Sequence, residues 1–308
     1  MKSAFTEYNN PEAIAAVLSE ELGFRVLPKD IRYPVKQGAQ AFTIYAGNIV
    51  AKFLIKDNSC CPPELFRREQ AILSALAHDP GRLGVTIPAL LHEGEYVFAM
   101  THIPKPALNK IIKPGLSHQP LPDWVINKLS NFLVGFDVLL AEKLPIPTVA
   151  WKPNIPPFSG DLPDFASALG PLLRAAEAEL TAPRSVKNRF VYPDLKISEN
   201  IFVVPETQSV SIVDFGSMTF GDPHYPLMVA PVGSANLQRL VKETNRLSLS
   251  GSRADPWDLD MNRIIALSVL HVAAEARYYD QNGIMKGRDN IKQKIAYVQR
   301  LNNLALVP

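Results

Sequence analysis

The stretch FVYPDLKISENIFVVPETQSVSIVDFGS, residues 190–217, sets Asp194, Asn200 and Asp214 inside or beside short apolar runs. IFVV (201–204) and SVSIVDF (209–215) flank the turn-forming PETQ, the pattern of an antiparallel hairpin. Asn200 leads into the first run and Asp214 lies at the end of the second, so pairing brings an amide and a carboxylate to one edge. Two such oxygen ligands can chelate one metal ion. Asp194 follows Tyr192-Pro193 and falls in a loop ahead of the hairpin. The plainer reading is that Asp and Asn favour loops and strand ends. For any one of the three alone, that reading is the stronger.

Two residues upstream change the balance. In IVAKFLI (49–55), period-two alternation puts Lys52 on the face of Val50 and Leu54. A helix is expected from Pro62 to about Ala77, and on it Glu69 has Leu65, Phe66, Ile72 and Leu73 at helical spacing. A carboxylate inside an apolar stripe needs a partner, because burying a lone charge is costly. A Lys52–Glu69 pair meets that need and lets the ammonium hold the phosphates of a nucleotide. Singly, each has a bland explanation: a strand-edge lysine, or a glutamate rotated out of its stripe. Together, on a strand and the very next helix, they favour the pair.

The surrounding pattern is of the α+β class. A capped helix opens the chain, with Asn10 as cap, Pro11 at the first position, and Ile14, Val17, Leu18 and Leu22 as a stripe ending at Gly23. Strand-like runs follow at 31–35, 41–46 and 49–55, with Gly47-Asn48 marking a tight hairpin. After the Glu69 helix come two more, VTIPALLHE and YVFAMTHI. Beyond Pro104 helical patterns dominate, at 122–143, 161–180, 233–248, 257–280 and 287–302. A small antiparallel sheet with one inserted helix thus precedes a larger, mostly helical part. The division falls between 1–103 and 104–308.

Composition narrows the partners. A formal charge of +2 with no long basic block gives no reason to expect nucleic acid. The first ten residues lack a signal-peptide core, and no uninterrupted apolar run approaches membrane-spanning length. Cys60 and Cys61 are adjacent, which offers neither a disulfide framework nor metal-ligand spacing. A cytoplasmic setting without a membrane partner is therefore expected. Oligomeric state is not readable.

The order VAK (50–52), Glu69, DLKISEN (194–200) and DFG (214–216) resembles the protein-kinase-like fold. ELFRREQAILSAL, IPALLHEGEYVFAMTHIP, NIFV and the Gly-Asp-Pro of GDPHYPL (221–227) bring it nearer the aminoglycoside phosphotransferase and choline kinase branch. The resemblance implies a bilobal fold, ATP and Mg2+ as cofactors, and transfer of the γ-phosphoryl group to a hydroxyl of a small molecule. In it, residues 1–103 form the nucleotide-binding lobe, and 104–308 carry the catalytic loop and acceptor site. Lys52 contacts the phosphates and Glu69 positions it, while Gly38, Ala39 and Gln40 lie over them. Thr101, His102 and Ile103 form the hinge beside adenine. Asp194 orients or deprotonates the acceptor, Lys196 offsets charge on the transferred group, and Asn200 with Asp214 ligates magnesium.

The chain departs from that family in three places. Tyr192-Pro193 stands where His-Gly or His-Arg is usual, and a tyrosine can fill the packing role. Five residues rather than four separate Asp194 from Asn200, so either the loop carries an insertion or Glu199 takes the metal-facing place. Pro226 replaces an aspartate of the family's post-metal motif. Lys196 and DFG also suit an atypical protein kinase, and the departures suit a non-catalytic pseudokinase. The absence of an ordinary activation segment before MVAPVG (228–233) favours a small-molecule acceptor. Asp255, Asp258, Asp260 and Glu275 are carboxylates suited to a polycationic acceptor, with Trp257 to stack on a sugar or base. The blander reading, that Asp255-Pro256 simply starts a helix, is the stronger for Asp255 and Asp258.

Overall fold

The computed structural model describes residues 10–34, 41–55, 63–104, 120–147, 166–182, 186–193, 195, 200–228, 234–250, 256–281 and 287–305. Helix α1 (Pro11–Leu22) starts where expected, with Asn10 Oδ1 accepting the N–H groups of Glu12 and Ala13. Gly23, at φ 69°, ends it in the left-handed conformation that only glycine adopts cheaply. Its buried face is Ile14, Ala15 and Leu18, whereas Val17 is 42% exposed and lies off the stripe.

Strands β1 (Ile31–Arg32), β2 (Ala41–Ala46), β3 (Ile49–Leu54), β4 (Leu90–His92) and β5 (Val97–Thr101) form one antiparallel sheet, ordered β1-β2-β3-β5-β4. Alternation along β3 separates two cores. Ala51 and Phe53 join Ile14 and Leu18 under α1. Val50 and Leu54 join Phe66, Ile72 and Leu73 of helix α2 (Pro63–Ala77) on the other face. Lys52 sits between Val50 and Leu54 on that second face, as its register requires.

The helical part comprises α3 (Asp123–Lys143), α4 (Ala166–Thr181), a short α5 (Tyr225–Met228), α6 (Ser234–Ser250), α7 (Met261–Gln281) and α8 (Gly287–Ala305). Four short strands interrupt it: β6 (Arg189–Val191), β7 (Ile201–Val204), β8 (Ser209–Ile212) and β9 (Thr219–Gly221). β7 and β8 make the expected hairpin, with Ile201 opposite Ile212. β6 pairs with β9, and neither is legible in the sequence because three residues carry no period. α3 is long and apolar enough by composition to cross a membrane. Here its apolar residues Phe132, Leu133, Phe136 and Leu140 are instead buried in the protein core.

α7 begins at Met261, later than its pattern suggests, where Asp260 Oδ1 accepts the N–H of Asn262. Residues 256–260 lie outside helix and strand, and four side chains clamp their backbone. Arg189 donates to Pro256 O and the Trp257 N–H to Ser248 Oγ. Asn245 exchanges two bonds with Leu259, and the Asp260 N–H donates to His224 Nε2. The Asp-Pro helix start is corrected accordingly.

The connection between α2 and β4 is stitched to the helical part. The Thr86 N–H donates to Val210 O at 2.8 Å, and the Ile212 N–H donates to Thr86 O at 2.9 Å. Lys128 Nζ donates to Gly84 O. A Cβ on Gly135 of α3 would lie 2.9 Å from Arg82 O, so the approach of the connector requires glycine there.

Candidate active site

The two anomalies of the sequence meet. Lys52 Nζ lies 2.7 and 2.9 Å from the two carboxylate oxygens of Glu69 and 3.0 Å from Asp214 Oδ1. Lys52 is 9% exposed and Glu69 is 4% exposed. Burial alone would lower the lysine's pKa. The charges of Glu69 and Asp214 and their hydrogen bonds outweigh it, so the net shift is upward and the ammonium stays charged. Glu69 also accepts the backbone N–H of Phe215, which ties α2 to the turn after β8. One ammonium between two carboxylates leaves an excess negative charge beside Asp214, whose side chain is 49% exposed.

Asp214 adopts φ 65° and ψ 73°, a left-handed conformation that costs a residue with a Cβ about 1–2 kcal/mol. Such strain persists only where neighbours hold it. The preceding Val213 donates its N–H to Asn200 O at 2.9 Å. Asn200 and Asp214 therefore flank the last pairs of the β7–β8 hairpin, at one edge. An amide oxygen and a carboxylate are hard ligands suited to magnesium, which takes one or two carboxylates and fills its shell with phosphate oxygens and water. Among the described residues, no group of three His, Cys, Asp or Glu side chains could hold a metal unaided.

At the end of β5, Thr101 and His102 are partly bound into the sheet. The Thr101 N–H donates to Ala89 O, and its Oγ1 accepts the Ala89 N–H. The His102 N–H donates to Asn48 O at 2.7 Å, so that group is committed to the sheet. The His102 ring packs on Tyr45, and burial lowers its pKa. Gly38, Ala39, Gln40, Asp194, Lys196, Glu199 and Asp255 lie outside the described residues.

Three of the residues considered for the acceptor, Trp257, Asp260 and Glu275, are engaged within the protein. Trp257 is 2% exposed and packs under the Arg189 guanidinium, 5.7 Å from its ring centre, so it cannot stack on a ligand in this conformation. Asp260 caps α7. Glu275 pairs with Lys294, joining α7 to α8.

Three further polar features lie in the helical part; Tyr192 and Asp222 stand in stretches noted from sequence, whereas Asp137 was not singled out. Asp137 of α3 accepts from Arg189 at 3.2 Å and from the Phe190 N–H at 3.0 Å, both buried. Its signal was present: it sits among Phe132, Leu133, Phe136, Leu139 and Leu140 as Glu69 sits in its own stripe. Tyr192, fully buried, donates its O–H to Val213 O at 2.6 Å. Asp222 accepts from His224 Nδ1 at 2.6 Å and from Arg263 Nε at 2.7 Å. Because the Asp260 N–H can only donate, His224 Nε2 is the acceptor and Nδ1 carries the proton.

Burial pushes the Asp222 carboxyl up. The His224 hydrogen bonds and the Arg263 charge outweigh this and hold its pKa below the ordinary value. A carboxyl depressed in the folded state contributes stability above its unfolded value and loses it as pH falls through the folded one. We expect wild-type stability to fall below about pH 4 more steeply than that of Asp222→Asn. Urea unfolding across that range would show equal slopes if the cluster were inert.

No protein-family model matches the sequence, and no curated protein does. Solved structures do. An aminoglycoside 2′-phosphotransferase-IIIa variant with GDP aligns over 94% of this chain and 98% of its own, at 14% identity and TM-score 0.64. A macrolide 2′-phosphotransferase from Brachybacterium faecium aligns over 92% and 98%, at 16% identity and TM-score 0.57. The fold is that of the aminoglycoside phosphotransferases. A further match with this phosphotransferase fold, APH(2″)-IIa with streptomycin and ATP, aligns over 86% and 88% at 13% identity and TM-score 0.52. In the phosphotransferase fold of this chain, β3 supplies Lys52, α2 supplies Glu69 and the β7–β8 hairpin supplies Asn200 and Asp214.

Proposed function

We propose that the protein is an ATP-dependent phosphotransferase acting on a hydroxyl of a small molecule. The observation that carries this reading is the three-way contact of Lys52, Glu69 and Asp214 on a fold shared with small-molecule kinases. The division of labour follows residues 1–103 and 104–308. Lys52, held by Glu69, binds the nucleotide phosphates, with Gly38, Ala39 and Gln40 above them and Thr101, His102 and Ile103 beside the base. Asn200 and Asp214 hold Mg2+, which when bound offsets charge on the phosphate oxygens. Asp194 orients the acceptor hydroxyl and takes its proton as the oxygen attacks in line, while ADP leaves. Lys196 stabilises the equatorial oxygens of the group in flight.

The acceptor is an aminoglycoside-like compound, an amino sugar or another metabolite alcohol. With Asp260 and Glu275 engaged elsewhere, a strongly cationic acceptor has no special support among them. A cytoplasmic site of action, without nucleic acid or membrane, suits such a substrate. The test is nucleotide binding followed by a hydroxyl-compound panel. Mg2+ with ATP should raise the unfolding temperature, and at least one panel member should be phosphorylated. Label transfer to protein in place of small molecules would move the reading to a protein kinase, and an absence of nucleotide binding would end it.

A further inference from the structure

We propose that Tyr192 is a positioning residue that fixes the conformation of Asp214, an inference that rests on the phosphotransferase reading for its functional half. The Tyr192 ring is locked among Phe132, Phe136 and Phe215, with centroids 5.8, 6.3 and 5.3 Å away. Its O–H donates to the carbonyl of Val213 at 2.6 Å. That carbonyl belongs to the peptide unit joining Val213 to Asp214, whose plane sets φ of Asp214. The O–H therefore acts directly on the torsion that stands at 65°. The other polar group of Val213, its N–H, is held by Asn200 O. The Asn200 bond anchors the preceding peptide unit, so a turn of Asp214 toward a relaxed negative φ falls on the Val213–Asp214 peptide, breaks the Tyr192 bond and disturbs the contact of the Asp214 carboxylate with Lys52 Nζ.

The ring alone cannot do this. Packing fixes where Phe215 lies, but the aromatic face of a phenylalanine at 192 offers the Val213 carbonyl no donor. Removing the hydroxyl should thus loosen the turn while leaving the aromatic cluster assembled. Lys52 keeps Glu69 in either case, so phosphate binding by the lysine is spared.

The experiment is Tyr192→Phe in the full chain, read in two ways. In nucleotide-free protein, amide exchange at residues 214–217 should quicken about tenfold, the equivalent of one lost hydrogen bond, with α3 amides unchanged. ATP affinity with Mg2+ should weaken about tenfold, while ATP affinity in EDTA stays at the wild-type value. Exchange that rises equally in α3, or nowhere, overturns the positioning role. So does a loss of ATP affinity that is the same with and without Mg2+. Wild-type protein that gains no ATP affinity from Mg2+ overturns the phosphotransferase reading and the metal half of this inference. The exchange pattern then still decides whether Tyr192 sets the turn.

Discussion

Asp214→Asn is expected to leave the fold intact and to lower phosphotransfer by roughly two to three orders of magnitude. Asparagine keeps the shape of the side chain and is among the few residues that visit the left-handed region readily, so φ 65° remains accessible. What it loses is the charge. Lys52 keeps both oxygens of Glu69, and the cluster changes from one cation with two anions to a neutral pair. The excess negative charge that favours a divalent cation is gone. Initial rates of Mg2+-dependent ATP turnover, measured beside thermal unfolding, separate the two effects. Undiminished turnover would show that Asp214 does not hold the metal. Asp214→Ala should be equally inactive but less stable, because alanine bears the backbone strain with no local hydrogen bond to offset it.

Asp137→Ala is expected to be the most destabilising change, at roughly 3–5 kcal/mol. The carboxylate accepts from the Arg189 guanidinium and from the Phe190 N–H, and its loss strands a buried charge together with a buried donor. A fall in melting temperature on the order of 10 °C follows for a chain of this size. Replacing both partners, Asp137→Ala with Arg189→Met, should recover part of the loss, since an apolar pair leaves no charge uncompensated. Urea denaturation of the single and double variants measures the difference. A double variant no better than Asp137→Ala would mean that the Phe190 N–H and the Arg189 bond to Pro256 O outweigh the ion pair.

Lys52 and Glu69 are legible in sequence because each violates the period of its own element. A charge at an apolar position of a strand and another at an apolar position of the next helix satisfy each other. The β7–β8 hairpin is legible from two apolar runs around a turn, and with it the shared edge of Asn200 and Asp214. The start of α7 is not. Asp255-Pro256 has the local chemistry of a helix start, yet 256–260 stays out of the helix because Arg189, His224, Asn245 and Ser248 hold its backbone from nine to 67 residues away. Long-range clamping of this kind leaves no local period to read. The Tyr192 bond to Val213 spans 21 residues and is invisible for the same reason, although a tyrosine inside an apolar strand already calls for a hydroxyl partner.

The stitching of Thr86 to β8 bears on how the chain folds. The core beneath α2 does not stop at the division near residue 103: Phe66, Leu76, Leu83 and Phe98 share one cluster with Phe132, Phe136, Ile212 and Phe215. The sheet face under α1 holds a separate, smaller cluster. A fragment ending at residue 103 would expose the larger apolar face and lose the strand partner of its own connector. The shared core ties the two parts into what should be a single cooperative unit of folding. Unfolding should accordingly follow one transition by tryptophan fluorescence and by circular dichroism alike.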